Sequence, residues 1–146
     1  MKIEYIQLQG IPKGHILDGI LQLHNEIFGS TDDIVEKLKI KPPLLFQLAL
    51  VGTEVVGYKI GYELDQKKFY SWLGGVKEEF RNNGVGSMLM EKQHQFLKAA
   101  GYKIVQTKTM NKWRSMLILN IKSGFDVIET YIDENGLHKI VLEKKL

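Results

Sequence analysis

The 146-residue chain contains no cysteine, which excludes a disulfide framework, a thiolate metal site and a cysteine nucleophile. It has no apolar run approaching the roughly 20 residues a membrane helix needs. Net charge is small: 20 Lys and Arg stand against 17 Asp and Glu, a formal +3, and so slight an excess is no argument for nucleic acid. The opening Lys2-Ile3-Glu4-Tyr5 carries an early acid and no long apolar stretch, unlike a secretory leader. Repeats, linkers and low-complexity tracts are missing too. What is present, 44% hydrophobic and 25% charged residues, is an ordinary globular composition sufficient for one domain over 1–146. The expectation is a soluble, cytoplasmic protein without a membrane or nucleic-acid partner.

Ile3 to Leu8 reads as a strand, stopped by Gly10-Ile11-Pro12. From Lys13 to Phe28, Ile16, Ile20, Leu23 and Ile27 recur at three- and four-residue steps and predict a helix ending near Gly29. Ser30-Thr31-Asp32-Asp33 offers caps for a second helix carrying Ile34, Val35 and Leu38, which Pro42-Pro43 ends. Strand-length runs follow at 44–51, 55–62 and 69–76, the first two joined through Gly52-Thr53 as a hairpin. A long helix is expected over 84–100, closed by Gly101, then a strand over 102–109 and a helix over 113–122 closed by Ser123-Gly124. The tail reads as a hairpin, 125–132 and 137–143, around Asp133-Glu134-Asn135-Gly136. The order β-α-α-β-β-β-α-β-α-β-β is that of an α+β domain, a mixed sheet of about seven strands flanked by about four helices.

The most informative stretch is Val76-Lys77-Glu78-Glu79-Phe80-Arg81-Asn82-Asn83-Gly84-Val85-Gly86-Ser87, between a strand and an amphipathic helix. A helix N-terminus leaves its first N–H groups unpartnered and partly positive, which suits an anion. Gly84 and Gly86 leave room for a bulky diphosphate, and Arg81 adds a full charge at the rim. No Lys follows Gly86, so a nucleoside-triphosphate loop does not fit, and Leu89 stands where the dinucleotide fingerprint needs a third glycine. On the residues alone, an anion cradle and a plain helix start are both open.

Arg81-x-x-Gly84-x-Gly86, following a strand and the segment Val76 to Phe80, resembles the acetyl-coenzyme A signature of the GNAT superfamily of N-acyltransferases. Gly124-Phe125 and the element order extend the resemblance over essentially the whole chain. The resemblance implies that Arg81, Asn82, Asn83, Gly84, Val85, Gly86 and Ser87 bind the pyrophosphate of acetyl-coenzyme A as acyl donor, and that the strand around Leu73 and Val76 aligns its pantetheine arm. The strands before and after the long helix would part there, and the thioester would lie between them. The implied activity is acetyl transfer to a primary amine, on a small molecule or a protein, by direct attack in a ternary complex. A homodimer through a sheet edge or helix face is compatible with this reading.

Counting back from Gly124-Phe125, the family's usual Tyr falls at Asn120 and its usual Asn at Trp113. A carboxamide can donate a hydrogen bond but cannot transfer a proton at neutral pH, so Asn120 would sit near the sulfur without being a general acid. The alternative function is therefore a non-catalytic acyl-coenzyme A sensor or interaction module. Asn111 can take the family's Asn role or simply cap the helix; Trp113 can line the cofactor or the core. A lysine-like amine, with a reference pKa of about 10.4, needs a base or a desolvated site. Glu26 and His24 fall where the family shapes its acceptor pocket, while Glu63 and Glu79 read as solvated charges. His15, His94 and His138 show no metal-ligand spacing, and no metal is expected. Tyr58, Tyr62, Tyr70 and Trp72 read as strand packing.

Overall fold

The computed structural model describes residues 2–40 and 42–146. Its elements run in the expected order: β1 (Glu4–Gln9), α1 (Gly14–Phe28), α2 (Asp32–Ile40), β2 (Leu44–Val51), β3 (Glu54–Glu63), β4 (Lys68–Val76), α3 (Val85–Ala99), β5 (Ile104–Thr109), α4 (Arg114–Lys122), β6 (Asp126–Ile132) and β7 (His138–Lys145). One turn of 3₁₀ helix at Glu78–Phe80, between β4 and α3, is additional. The side chains of Asp32 and Asp33, read above as caps, lie outside the described residues.

All seven strands join one sheet in the order β1-β2-β3-β4-β5-β7-β6. Neighbours are antiparallel except β4 and β5, which run parallel because α3 crosses between them. On one face α1 and α2 cover Phe46, Leu48, Tyr58 and Ile60; on the other α3 and α4 cover Leu45, Phe69, Val105, Ile140 and Leu142. β2 and β3, the middle of this sandwich, are buried for nearly their whole length. Tyr62 meets Tyr70 and Trp72 edge to face at ring separations of 5.4 and 6.1 Å, so these aromatics pack against one another.

Two helix ends fix the neighbourhood of the site. α3 closes on Gly101 (φ 98°), with Tyr102 N–H donating to the Leu97 carbonyl and Gly101 N–H to that of Lys98. α4 closes in the same way on Gly124 (φ 102°), with Phe125 N–H donating to the Asn120 carbonyl and Gly124 N–H to that of Ile121. Both are left-handed caps that only glycine enters at low cost. The second sends Phe125 into the core and holds Asn120 buried.

Candidate active site

β4 and β5 pair only from Lys68 with Ile104 to Ser71 with Thr107, although β4 continues to Val76. Beyond Ser71 the strands part. A bulge accompanies the parting: Leu73 pairs with Ile60 and Ser71 with Gly61 of β3, leaving Trp72 extra in the register. Lys77 N–H donates to the Val56 carbonyl at 2.8 Å. Because every second residue of an antiparallel ladder turns to the same neighbour, Gly75 and Leu73 also address β3. Gly74 and Val76 turn their backbone the other way, into the gap. The Val76 carbonyl there accepts from Arg81 Nε at 2.9 Å. Of the two strand residues expected to align a pantetheine arm, Val76 thus faces the gap, while Leu73 turns its backbone to β3 and its side chain to the α1 face.

The loop from β4 to α3 ends in two special conformations, one residue apart. Asn82 takes φ 65°, and Gly84, at the N-cap of α3, takes φ 78° and supplies no side-chain cap. The first helical bond is Met88 N–H to the Gly84 carbonyl at 2.9 Å, so the amides of Val85, Gly86 and Ser87 have no intrahelical acceptor. Arg81, Asn82, Asn83 and Gly84 are exposed around them, and Asn83 Nδ2 donates to the Arg81 carbonyl at 3.3 Å. A Cβ on Gly84 would meet nothing within 4 Å; one on Gly86 would stand 3.3 Å from Leu119 Cδ2 and 3.8 Å from Val76 Cγ2. Gly84 therefore leaves the mouth of the cradle open, whereas Gly86 lets α3 approach α4 and β4 closely. Unpartnered amides, an exposed Arg and an uncovered glycine fit a diphosphate.

The other expected residues divide between the two faces. Glu26 is exposed near the end of α1 and shares a cleft of about 290 Å³ with His15, Asp18, Glu54 and Lys77. Lys77 is held by Glu54 at 2.7 Å and lies 3.9 Å from Glu79; the Glu54 hydrogen bond raises its pKa. His24 is buried on the same face, its Nδ1 2.5 Å from the Tyr58 hydroxyl, and burial lowers its pKa. Glu63 accepts from the Tyr102 hydroxyl at 2.7 Å. Asn120 lies across the sheet on α4, so Glu26 and Asn120 address the sheet from opposite faces.

Asn111 is exposed in the turn before α4, whose N-cap is Trp113, so it does not cap the helix. Trp113 packs edge to face on Phe28 at 5.2 Å, with Lys112 Nζ 4.9 Å from its ring centroid. That contact ties the end of α1 to the start of α4. Among the described residues no group of three His, Cys, Asp or Glu side chains could hold a metal ion.

A family model described as the acetyltransferase (GNAT) family matches residues 17–114. The chain belongs to the GNAT acetyltransferase family. The fold is shared along its length with a GNAT family acetyltransferase from Elizabethkingia anophelis with acetyl-coenzyme A bound (TM-score 0.76, 23% identity, 99% of this chain and 98% of that one). It is shared with an aminoglycoside 6'-N-acetyltransferase complexed with coenzyme A (TM-score 0.78, 13% identity, 96% of each chain). The ribosomal-protein-S18-alanine N-acetyltransferase from Escherichia coli is similar too (TM-score 0.76, 12% identity, 96% of this chain and 94% of that one). No curated protein matches the sequence. No helix of the GNAT chain, among the described residues, is long and apolar enough to cross a membrane.

Proposed function

We propose that this GNAT domain moves an acetyl group from acetyl-coenzyme A to a primary amine by direct attack in a ternary complex. Acetyl-coenzyme A supplies the acetyl group as an activated thioester. Arg81, Asn82, Asn83 and the amides of Gly84, Val85, Gly86 and Ser87 hold its diphosphate. Val76, joined by Gly74, offers open-edge backbone to the pantetheine arm, with Leu73 packed behind them. Holding donor and amine together in the gap supplies most of the rate, and strand amides polarise the reacting carbonyl. Glu26 accepts a proton from the amine side, directly or through water, while Asn120 and Asn111 lie on the α4 side of the gap.

One observation carries this reading: the parted β4 and β5 leave an open strand edge that runs to the uncapped start of α3. The test is acetyl-coenzyme A binding by calorimetry together with turnover on a panel of polyamines, aminoglycosides and peptide N-termini. Binding with transfer to one amine class is expected; no binding overturns the reading. Binding without turnover on any amine would favour the acyl-coenzyme A sensor that Asn120 motivates.

A further inference from the structure

Gly74 and Gly75 strip β4 of side chains where it borders the gap, and neighbours take up the space, Ile27 of α1 and Tyr58 of β3 beside Gly75 and β3 alone beside Gly74. On the α1 face the Tyr58 hydroxyl lies 3.5 Å from where a Gly75 Cβ would stand. On the α3 face Lys59, the register partner of Gly74, lays its Cγ 3.8 Å from that glycine's Cβ position. Gly74 is an open-edge residue, so the stem of Lys59 lies beside β4 at the level where the gap opens.

Lys59 is buried, and among the described residues no carboxylate lies within ion-pair distance of its Nζ. Gln47 of β2 is its register partner, a neutral amide whose Nε2 donates to Gln7 Oε1. From α3 come Gln93 and His94: Leu89 packs over Gly57, and buried Gln93 follows one helical turn further along α3, on the side of the helix that faces β3. Both polar atoms of the Gln93 side chain are buried without a partner. His94 cannot take the lysine proton. Lys144 Nζ, a donor only, sits 3.1 Å from its Nδ1, which places the imidazole proton on Nε2, and Nε2 too is unpartnered. Burial first, then the Lys144 and Lys59 charges, push His94 down to about 3, so it stays neutral. Lys59 thus has no acidic neighbour to hold its charge. Burial brings its ammonium down to about 8.

We propose that Lys59 is the general acid of the transfer, its Nζ giving a proton to the coenzyme A sulfur across Gly74. The proposal rests on the acetyl-coenzyme A reading above and assigns the proton that Asn120 cannot supply. The amine nitrogen forms the new C–N bond and releases its own proton toward Glu26 or solvent. The C–S bond breaks, its electron pair stays on sulfur, and the Lys59 proton joins it; neutral Lys59 then takes a proton from water. A donor poised near the ordinary thiol value of about 8.5 is well matched to this transfer.

The test titrates the thiol of bound coenzyme A, followed by thiolate absorbance, in wild type, Lys59→Met and Lys59→Arg. An adjacent cation favours thiolate, so wild type and Lys59→Arg should titrate about tenfold in proton concentration below Lys59→Met, at equal coenzyme A affinity. With the amine that the panel identifies, kcat in Lys59→Met should fall about 100-fold at unchanged KM for acetyl-coenzyme A. Lys59→Arg, charged but unable to release its proton, should stay equally slow. Identical thiol titration in wild type and Lys59→Met overturns the proposal. If wild type fails to bind coenzyme A at all, the donor reading falls instead.

Discussion

Replacing Lys59 with Met should make the folded protein more stable. The unfolded ammonium titrates at its usual 10.5 and the folded one at about 8. At neutral pH that gap makes the charged lysine unfavourable in the fold by about 3 kcal/mol, because each pH unit is worth 1.36 kcal/mol. The cost is fully present below pH 8. Between pH 8 and 10.5 the unfolded chain holds the extra proton, so this contribution makes wild type more stable as pH rises, and above 10.5 the cost is gone. Met has similar length, is apolar and adapts to irregular gaps, so it should recover about 1–3 kcal/mol at pH 7. Urea unfolding of both proteins at pH 7 and pH 10 measures this, and their difference cancels every other titrating group. A variant less stable than wild type at pH 7, or a stability difference between the two that does not change with pH, would refute the reasoning.

Arg81→Ala removes a guanidinium anchored on the Val76 carbonyl at the rim of the cradle. Coenzyme A affinity by calorimetry should fall about tenfold or more, with a shallower salt dependence, and Lys should restore only part of it. Gly61→Ala would drive a Cβ into the Phe69 ring and to 2.5 Å from the Tyr70 carbonyl oxygen. Neither neighbour can yield cheaply, and a loss of about 3 kcal/mol in urea unfolding is expected. Asn120→Ala, at a buried position on α4, should lower kcat more than coenzyme A affinity; equal rates would show that Asn120 has no chemical role.

The special turn that opens α3 was legible because its demands are local. Gly84 has to enter a left-handed conformation at a helix start, and Arg81 has to lie within reach of it, so both leave a mark in a short stretch of sequence. The element order was legible for the same reason: its boundaries are glycine caps, proline stops and changes of period. Lys59 was not. In Gly57-Tyr58-Lys59-Ile60-Gly61 the lysine reads as the solvent side of a hairpin strand, and only the sheet order reveals that β3 is covered on both faces. Gly74-Gly75 likewise reads as an indifferent end of a strand; its meaning comes from Lys59 and Tyr58, brought beside it by pairing. The direction of the Leu73 backbone depends on the bulge at Trp72, which no period in the sequence announces. His24 meets Tyr58 across 34 positions of chain, a contact that local pattern cannot encode.

Backbone amide resonances recorded during a titration with coenzyme A test the central claim most directly. Saturable shifts concentrated at Gly74, Val76 and the run from Arg81 to Ser87 are predicted. Shifts confined to other parts of the sheet, or none at millimolar coenzyme A, would contradict the account.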